Sequence, residues 1–101
     1  MKYQIANVKD IAPGTMVGAE VGGKKILVAN IGGEFFAMGS VCNHRGGPLD
    51  KGKLEGNVVT CPWHGSRWDV KTGKLVEFPV PLQPEPVFKA LVEGDEVLVE
   101  F

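Results

Sequence analysis

Cysteine and histidine, two of each in 101 residues, fall into two short clusters, Cys42-Asn43-His44 and Cys61-Pro62-Trp63-His64. Each cluster offers one thiolate and one imidazole, side chains that bind transition metals. Residues 45–60 separate them, enough chain for two loops to meet around a shared centre while a strand crosses between. Packing alone explains this poorly, because histidine is not a habitual core residue and both clusters place cysteine before histidine. In a reducing compartment, a cysteine pair beside histidines is more often a metal site or redox centre than a disulfide. Two metal chemistries compete. Zinc in a Cys2His2 site usually takes both cysteines from one knuckle and both histidines from a following helix. A 2Fe-2S centre with two cysteines on one iron and two histidines on the other takes one ligand of each kind from each loop. Both knuckles here are mixed, so the order favours iron over zinc.

The elements that must position these loops read as short strands. Fourteen glycines and seven prolines are spread along the chain as turn residues. Residues 3–8, 25–31, 35–38, 57–61, 87–92 and 96–101 form short, often β-branched segments, and helical periodicity is hard to find. Near the end Val97, Val99 and Phe101 alternate with Glu96, Leu98 and Glu100, as in a strand with one buried face. Glu93-Gly94-Asp95 is expected to fold that strand back on residues 87–92. Val21-Gly22-Gly23-Lys24 is expected to join residues 26–31 to a strand before it. From about residue 39 to 73, Gly46-Gly47-Pro48, Gly52, Gly56, Pro62 and Gly65 interrupt any long strand, which predicts an inserted, loop-rich subdomain carrying both clusters. The stretch Phe78-Pro79-Val80-Pro81-Leu82-Gln83-Pro84-Glu85-Pro86 is expected to run extended, and it reads equally well as a plain linker to the final hairpin.

Cys42-Asn43-His44-Arg45-Gly46-Gly47-Pro48-Leu49 and Cys61-Pro62-Trp63-His64-Gly65-Ser66-Arg67-Trp68-Asp69 resemble the two cluster-binding loops of Rieske proteins, and with the β-rich flanks the resemblance covers essentially all 101 residues. It implies an all-β Rieske fold, with antiparallel sheets forming a basal domain and a cluster-binding subdomain at about 39–73 inserted into a single domain spanning 1–101. It also implies one Rieske-type 2Fe-2S cluster, with Cys42 and Cys61 on the buried iron and His44 and His64 on the outer one. Membrane-anchored Rieske subunits of respiratory complexes carry an extra cysteine in each loop and a tyrosine farther on; this chain has Gly47, Trp63 and Trp68 in those places. Ser66 matches their serine, whose hydroxyl bonds the cluster. The departures point to the ferredoxin type, with its lower reduction potential. Gly46, Gly47 and Gly65 are expected to admit close backbone approach. Pro48, Leu49 and Trp63 are expected to shield the cluster, with Pro79-Val80-Pro81 covering it from a third side and Trp68 and Asp69 supporting the loops.

Eleven basic and twelve acidic residues give a formal charge of -1, which leaves no electrostatic footprint for nucleic acid or an anionic membrane. The first ten residues lack the continuous apolar stretch of a signal peptide. Apolar runs such as Ile26-Leu27-Val28-Ala29, which no other run exceeds, are far below the roughly 20 residues of a membrane helix. A cytoplasmic location is expected. An independent enzyme would need a general base or nucleophile beside a pocket, whereas both histidines are taken as ligands and Asp50, Asp69 and Glu77 show no pairing. A single-electron carrier is therefore expected. The resemblance implies a ferredoxin reductase as donor and a terminal oxygenase, often an aromatic-ring dioxygenase, as acceptor. Docking would use the tip around His44, Arg45, Gly46, Pro48, Trp63 and His64. Two alternatives stand beside it. A Rieske small subunit of a nitrite-reductase-like complex would show a large apolar patch away from the tip. A zinc-stabilised interaction module would be colourless.

Overall fold

The computed structural model describes residues 1–43 and 45–101. The predicted ligand His44 lies outside the described residues. Two glycine pairs set up a meander. Gly22 and Gly23 have φ of 57° and 77°, and Gly32 and Gly33 have φ of 63° and 98°. Positive φ at both central positions is the type I′ geometry that matches strand twist, and it suits residues without a Cβ. The first pair closes β2 (Met16–Val21) onto β3 (Lys24–Ile31), as expected from the sequence. The second closes β3 onto β4 (Glu34–Gly39) with Ile31 opposite Glu34, a hairpin the sequence reading did not assign.

The chain ends in the other expected hairpin. There β9 (Val87–Glu93) and β10 (Glu96–Glu100) close with Glu93 opposite Glu96 around Gly94. With β1 (Lys2–Asn7) on its far side, β10 belongs to an antiparallel six-stranded sheet of order β1-β10-β9-β4-β3-β2. Between β4 and β9 in the chain lies a second antiparallel sheet of order β5-β6-β7-β8, formed by Lys53–Glu55, Val58–Thr60, Arg67–Asp69 and Leu75–Glu77. Only β6 falls in a segment predicted as strand, because three residues are too few to display an alternation.

The run Ile26-Leu27-Val28-Ala29 now has a physical reason: β3 is buried on both faces. Ile26 and Val28 pack with Ile11, Ala37, Val97 and Val99 in the base. Leu27 and Ala29 point the other way, into a second core with Met38, Leu49, Val59, Trp68 and both cysteines. Alternation vanishes when both faces are covered, and each fully buried Leu or Ile side chain contributes about 1.5–3 kcal/mol. One strand thereby seats the small sheet on the large one. Among the described residues no helix is long and apolar enough to cross a membrane.

Candidate metal centre

The two cysteines open loops that close in the same way. The Cys42 carbonyl accepts the Gly46 N–H at 2.8 Å, and the Cys42 N–H donates to the Gly47 carbonyl at 2.9 Å. The Cys61 carbonyl accepts the Gly65 N–H at 3.1 Å, and the Cys61 N–H donates to the Ser66 carbonyl at 2.8 Å. Each loop therefore pins its cysteine through partners four and five residues on. The first loop is rooted by the Val41–Pro48 bridge and the Leu49 N–H on the Ser40 carbonyl, the second by β6 and β7. Gly46 and Gly65 serve this closure through φ of 75° and 77°, and neither shows the close approach expected of it; that approach is found at Gly47.

Both cysteines are buried, at 3% exposure, and they are not joined in a disulfide. The loops meet closely. A Cβ on Gly47 would lie 2.7 Å from Cys61 Sγ and 3.2 Å from the Trp63 ring, so only bare backbone fits there. Ser66 Oγ lies 3.2 Å from Cys42 Sγ and accepts the Trp68 indole N–H at 3.0 Å. An indole nitrogen only donates, so the hydroxyl keeps its own proton for another acceptor, and a metal-bound thiolate can only accept. With Cys42 as a thiolate, the bond would run from the Ser66 hydroxyl to sulfur. Ser66 also ties the loops together, because its carbonyl holds Cys61 while its hydroxyl reaches Cys42.

The surroundings sort themselves by exposure. His64 is exposed, while the two sulfurs face the core built on Trp68 and Leu49, so cysteine lies inward and imidazole outward. Trp63 is 57% exposed and forms part of the rim, which makes it a shield for the Gly47–Cys61 contact and not core. Pro48 is half-buried, and Pro79 and Val80 are exposed, while Leu82 of the same stretch packs against the core. Buried sulfur donors, a backbone cradle and an outward imidazole fit an iron–sulfur centre of mixed ligation.

The proline-restricted stretch is no plain linker. Asn43, between the first cysteine and histidine, donates its backbone N–H to Glu85 Oε2 at 2.9 Å. Its side-chain amide donates to the carbonyls of Gln83 and Pro84 at 2.7 and 3.2 Å. Glu85 is buried, at 4% exposure. Burial pushes its carboxyl up from 4.5 to about 7, and the Asn43 N–H pulls it partly back. Neither Asn43 nor Glu85 was a site candidate in the sequence. The carboxylates set aside in the sequence serve local structure: Asp69 accepts the Lys71 N–H at 2.8 Å, and Glu77 pairs with Arg67 at 2.9 Å.

The raised Glu85 value makes stability depend on pH. Between pH 4.5 and about 7 the folded chain holds a proton there that the unfolded chain releases. Stability should therefore fall as pH rises through that window, by on the order of 2 kcal/mol, and level off above it. Urea unfolding at pH 5 and pH 8 measures the drop. Glu85→Gln, which cannot titrate, should lose most of it; equal drops in both proteins would rule this origin out.

The sequence matches the Rieske 2Fe-2S domain family over residues 1–90. The chain belongs to this family. It is 43% identical over 99 residues to the ferredoxin component of biphenyl 2,3-dioxygenase from Rhodococcus jostii (strain RHA1), covering 96% of this chain and 90% of that protein. The solved ferredoxin of carbazole 1,9a-dioxygenase from Nocardioides aromaticivorans IC177 superimposes with a TM-score of 0.92 at 29% identity, covering 98% of this chain and 96% of that one. A ferredoxin-like match at 32% identity and TM-score 0.89 comes from a complex of reduced oxygenase and oxidized ferredoxin in carbazole 1,9a-dioxygenase, covering 97% and 91% of the two chains.

This Rieske protein carries one 2Fe-2S cluster and is a single-electron carrier, not a catalyst. Its all-β, antiparallel architecture is the one the sequence resemblance implied. The cluster supplies a one-electron redox centre in which two neutral imidazoles in place of thiolates raise the potential relative to an all-cysteine centre. The chain's own residues do the rest. Leu49, Trp68 and Met38 keep water from the sulfurs, Ser66 Oγ lies within hydrogen-bond distance of one of them, and Trp63 lies over the contact between the loops.

Proposed function

We propose that Cys42 and Cys61 bind one iron and His44 and His64 the other, and that the chain passes single electrons from a ferredoxin reductase to a terminal oxygenase of the aromatic-ring-hydroxylating kind. The whole of 1–101 acts as a single Rieske domain, with about 39–73 as its cluster-binding part, in the cytoplasm. One observation carries the partner assignment: likeness to a dioxygenase ferredoxin component runs over 96% of this chain and 90% of that protein. The solved complex of an oxygenase with a ferredoxin similar to this chain supports the same acceptor class. Exposure of His64, Arg45 and Trp63 beside the buried sulfurs supports docking at this tip, because electron transfer needs a short path from the outer ligands to the partner's centre.

Visible absorption and electron paramagnetic resonance of the dithionite-reduced protein, purified without added metal, test the ligand set. A red-brown protein giving a rhombic signal with average g below the free-electron value is expected. Anaerobic mixing of that reduced protein with an oxidised Rieske oxygenase component should then bleach the signal of the carrier. A colourless protein containing zinc would overturn the reading.

A further inference from the structure

The buried carboxylate of Glu85 has no place in the electron path, yet it touches the first ligand loop. Its Oε2 accepts the N–H of Asn43, the peptide group that directly follows Cys42. Glu85 is itself held by rigid neighbours: its N–H donates to the Gly73 carbonyl at 2.7 Å, and the Gly39 N–H donates to the adjacent Pro86 carbonyl at 2.8 Å. The backbone of Glu85 and Pro86 thus joins the end of β4 to the turn before β8, and the Glu85 carboxylate links both to the first ligand loop. Lys24 and Lys25 line the same cavity, but none of the ion pairs among the described residues includes Glu85.

Resting on the ligand reading above, we propose that Glu85 is a positioning residue of the redox centre, an anionic clasp that fixes the Cys42 loop and biases the cluster against reduction. The positioning follows from geometry. The Cys42 and Gly46 N–H groups close the loop on its own carbonyls, whereas the Asn43 N–H ties it to the connector, with the Asn43 amide as a second tie to Gln83 and Pro84. The bias follows from electrostatics: reduction adds negative charge to the cluster, and a carboxylate one peptide group from a ligand, in a poorly screened interior, opposes it. Glutamine at this position keeps the shape and an acceptor oxygen while removing the charge. Alanine removes both.

Wild type, Glu85→Gln and Glu85→Ala, each purified with its cluster, are compared at pH 8 by midpoint potential and by the half-life of the visible band in excess chelator. Glu85→Gln should hold its cluster within about twofold of the wild-type lifetime and be about tenfold easier to reduce, an upward shift of about 59 mV for one electron. Glu85→Ala should keep the wild-type far-ultraviolet circular dichroism and shed its cluster about tenfold faster. An unchanged potential in Glu85→Gln, or a wild-type cluster lifetime in Glu85→Ala, overturns the proposal. If Glu85→Ala does not fold, the Glu85→Gln potential decides alone. Failure of the ligand reading would show separately, as wild-type protein without the mixed-ligand signal.

Discussion

Cys61→Ser should give a colourless protein whose small sheet no longer holds together while the base stays folded. Loss of the visible band should be complete, because iron–sulfur clusters are held by thiolates and a serine hydroxyl is neither ionised near neutrality nor soft. The structural consequence follows from where the cysteines lie. Cys42 and Cys61 are members of the core that joins the two sheets, together with Leu27, Leu49, Val59 and Trp68. Strands β5, β6, β7 and β8 have three residues each, too few for independent stability, so the free energy of cluster binding is also folding free energy for this part. The base has its own core of Ile26, Val28, Ala37, Val97 and Val99, none of which touches a ligand loop in sequence. Hydrogen exchange followed by mass spectrometry should therefore show protection lost by at least tenfold across 53–69, with protection kept across β1, β9 and β10. A protein that kept its colour would show that Cys61 is not a ligand. Uniform loss of protection in both sheets would show that the base depends on the cluster as well.

How much of this was legible beforehand depended on the kind of signal. Thiolate and imidazole are scarce, chemically distinct side chains, so the spacing of Cys42, His44, Cys61 and His64 pointed to metal chemistry without any knowledge of the fold. The Gly22-Gly23 and Gly94 hairpins were legible because a two-residue turn imposes a backbone conformation that selects its residues. The run Ile26-Leu27-Val28-Ala29 was visible but mute, since a strand buried on both faces has no period, and which faces it covers is decided by chain remote from it. Strand β7 was hidden within the second ligand motif, where Arg67-Trp68-Asp69 is read for its chemistry before its alternation. Glu85 was the furthest out of reach. In a proline-rich stretch a glutamate reads as exposed, and its burial depends on a contact with Asn43, 42 residues earlier in the chain. Nothing local announces a hydrogen bond over that separation.

Ser66→Ala should lower the midpoint potential by about 59 mV, a tenfold loss in the equilibrium constant for one-electron reduction, and Trp68→Phe should lower it by a smaller amount through the same atom. Reduction makes the cluster sulfurs better acceptors, so a donor at 3.2 Å from Cys42 Sγ stabilises the reduced state more than the oxidised one. Removing the hydroxyl removes that difference. Trp68 lies one bond further away: its N–H on Ser66 Oγ at 3.0 Å occupies a lone pair and leaves the hydroxyl proton to point at sulfur. Phenylalanine fills most of the buried indole volume but cannot donate, so the Ser66 hydroxyl is no longer oriented or polarised. Because Trp68 acts through Ser66, the Ser66→Ala/Trp68→Phe double variant should show the shift of Ser66→Ala alone. Spectroelectrochemical titration of the four proteins at one pH measures all three shifts. If the single-variant shifts simply add, Trp68 influences the centre by packing and not through the serine. If Ser66→Ala leaves the potential where it was, the hydroxyl proton does not reach Cys42, and the orientation forced on it by the indole has no consequence for the electron.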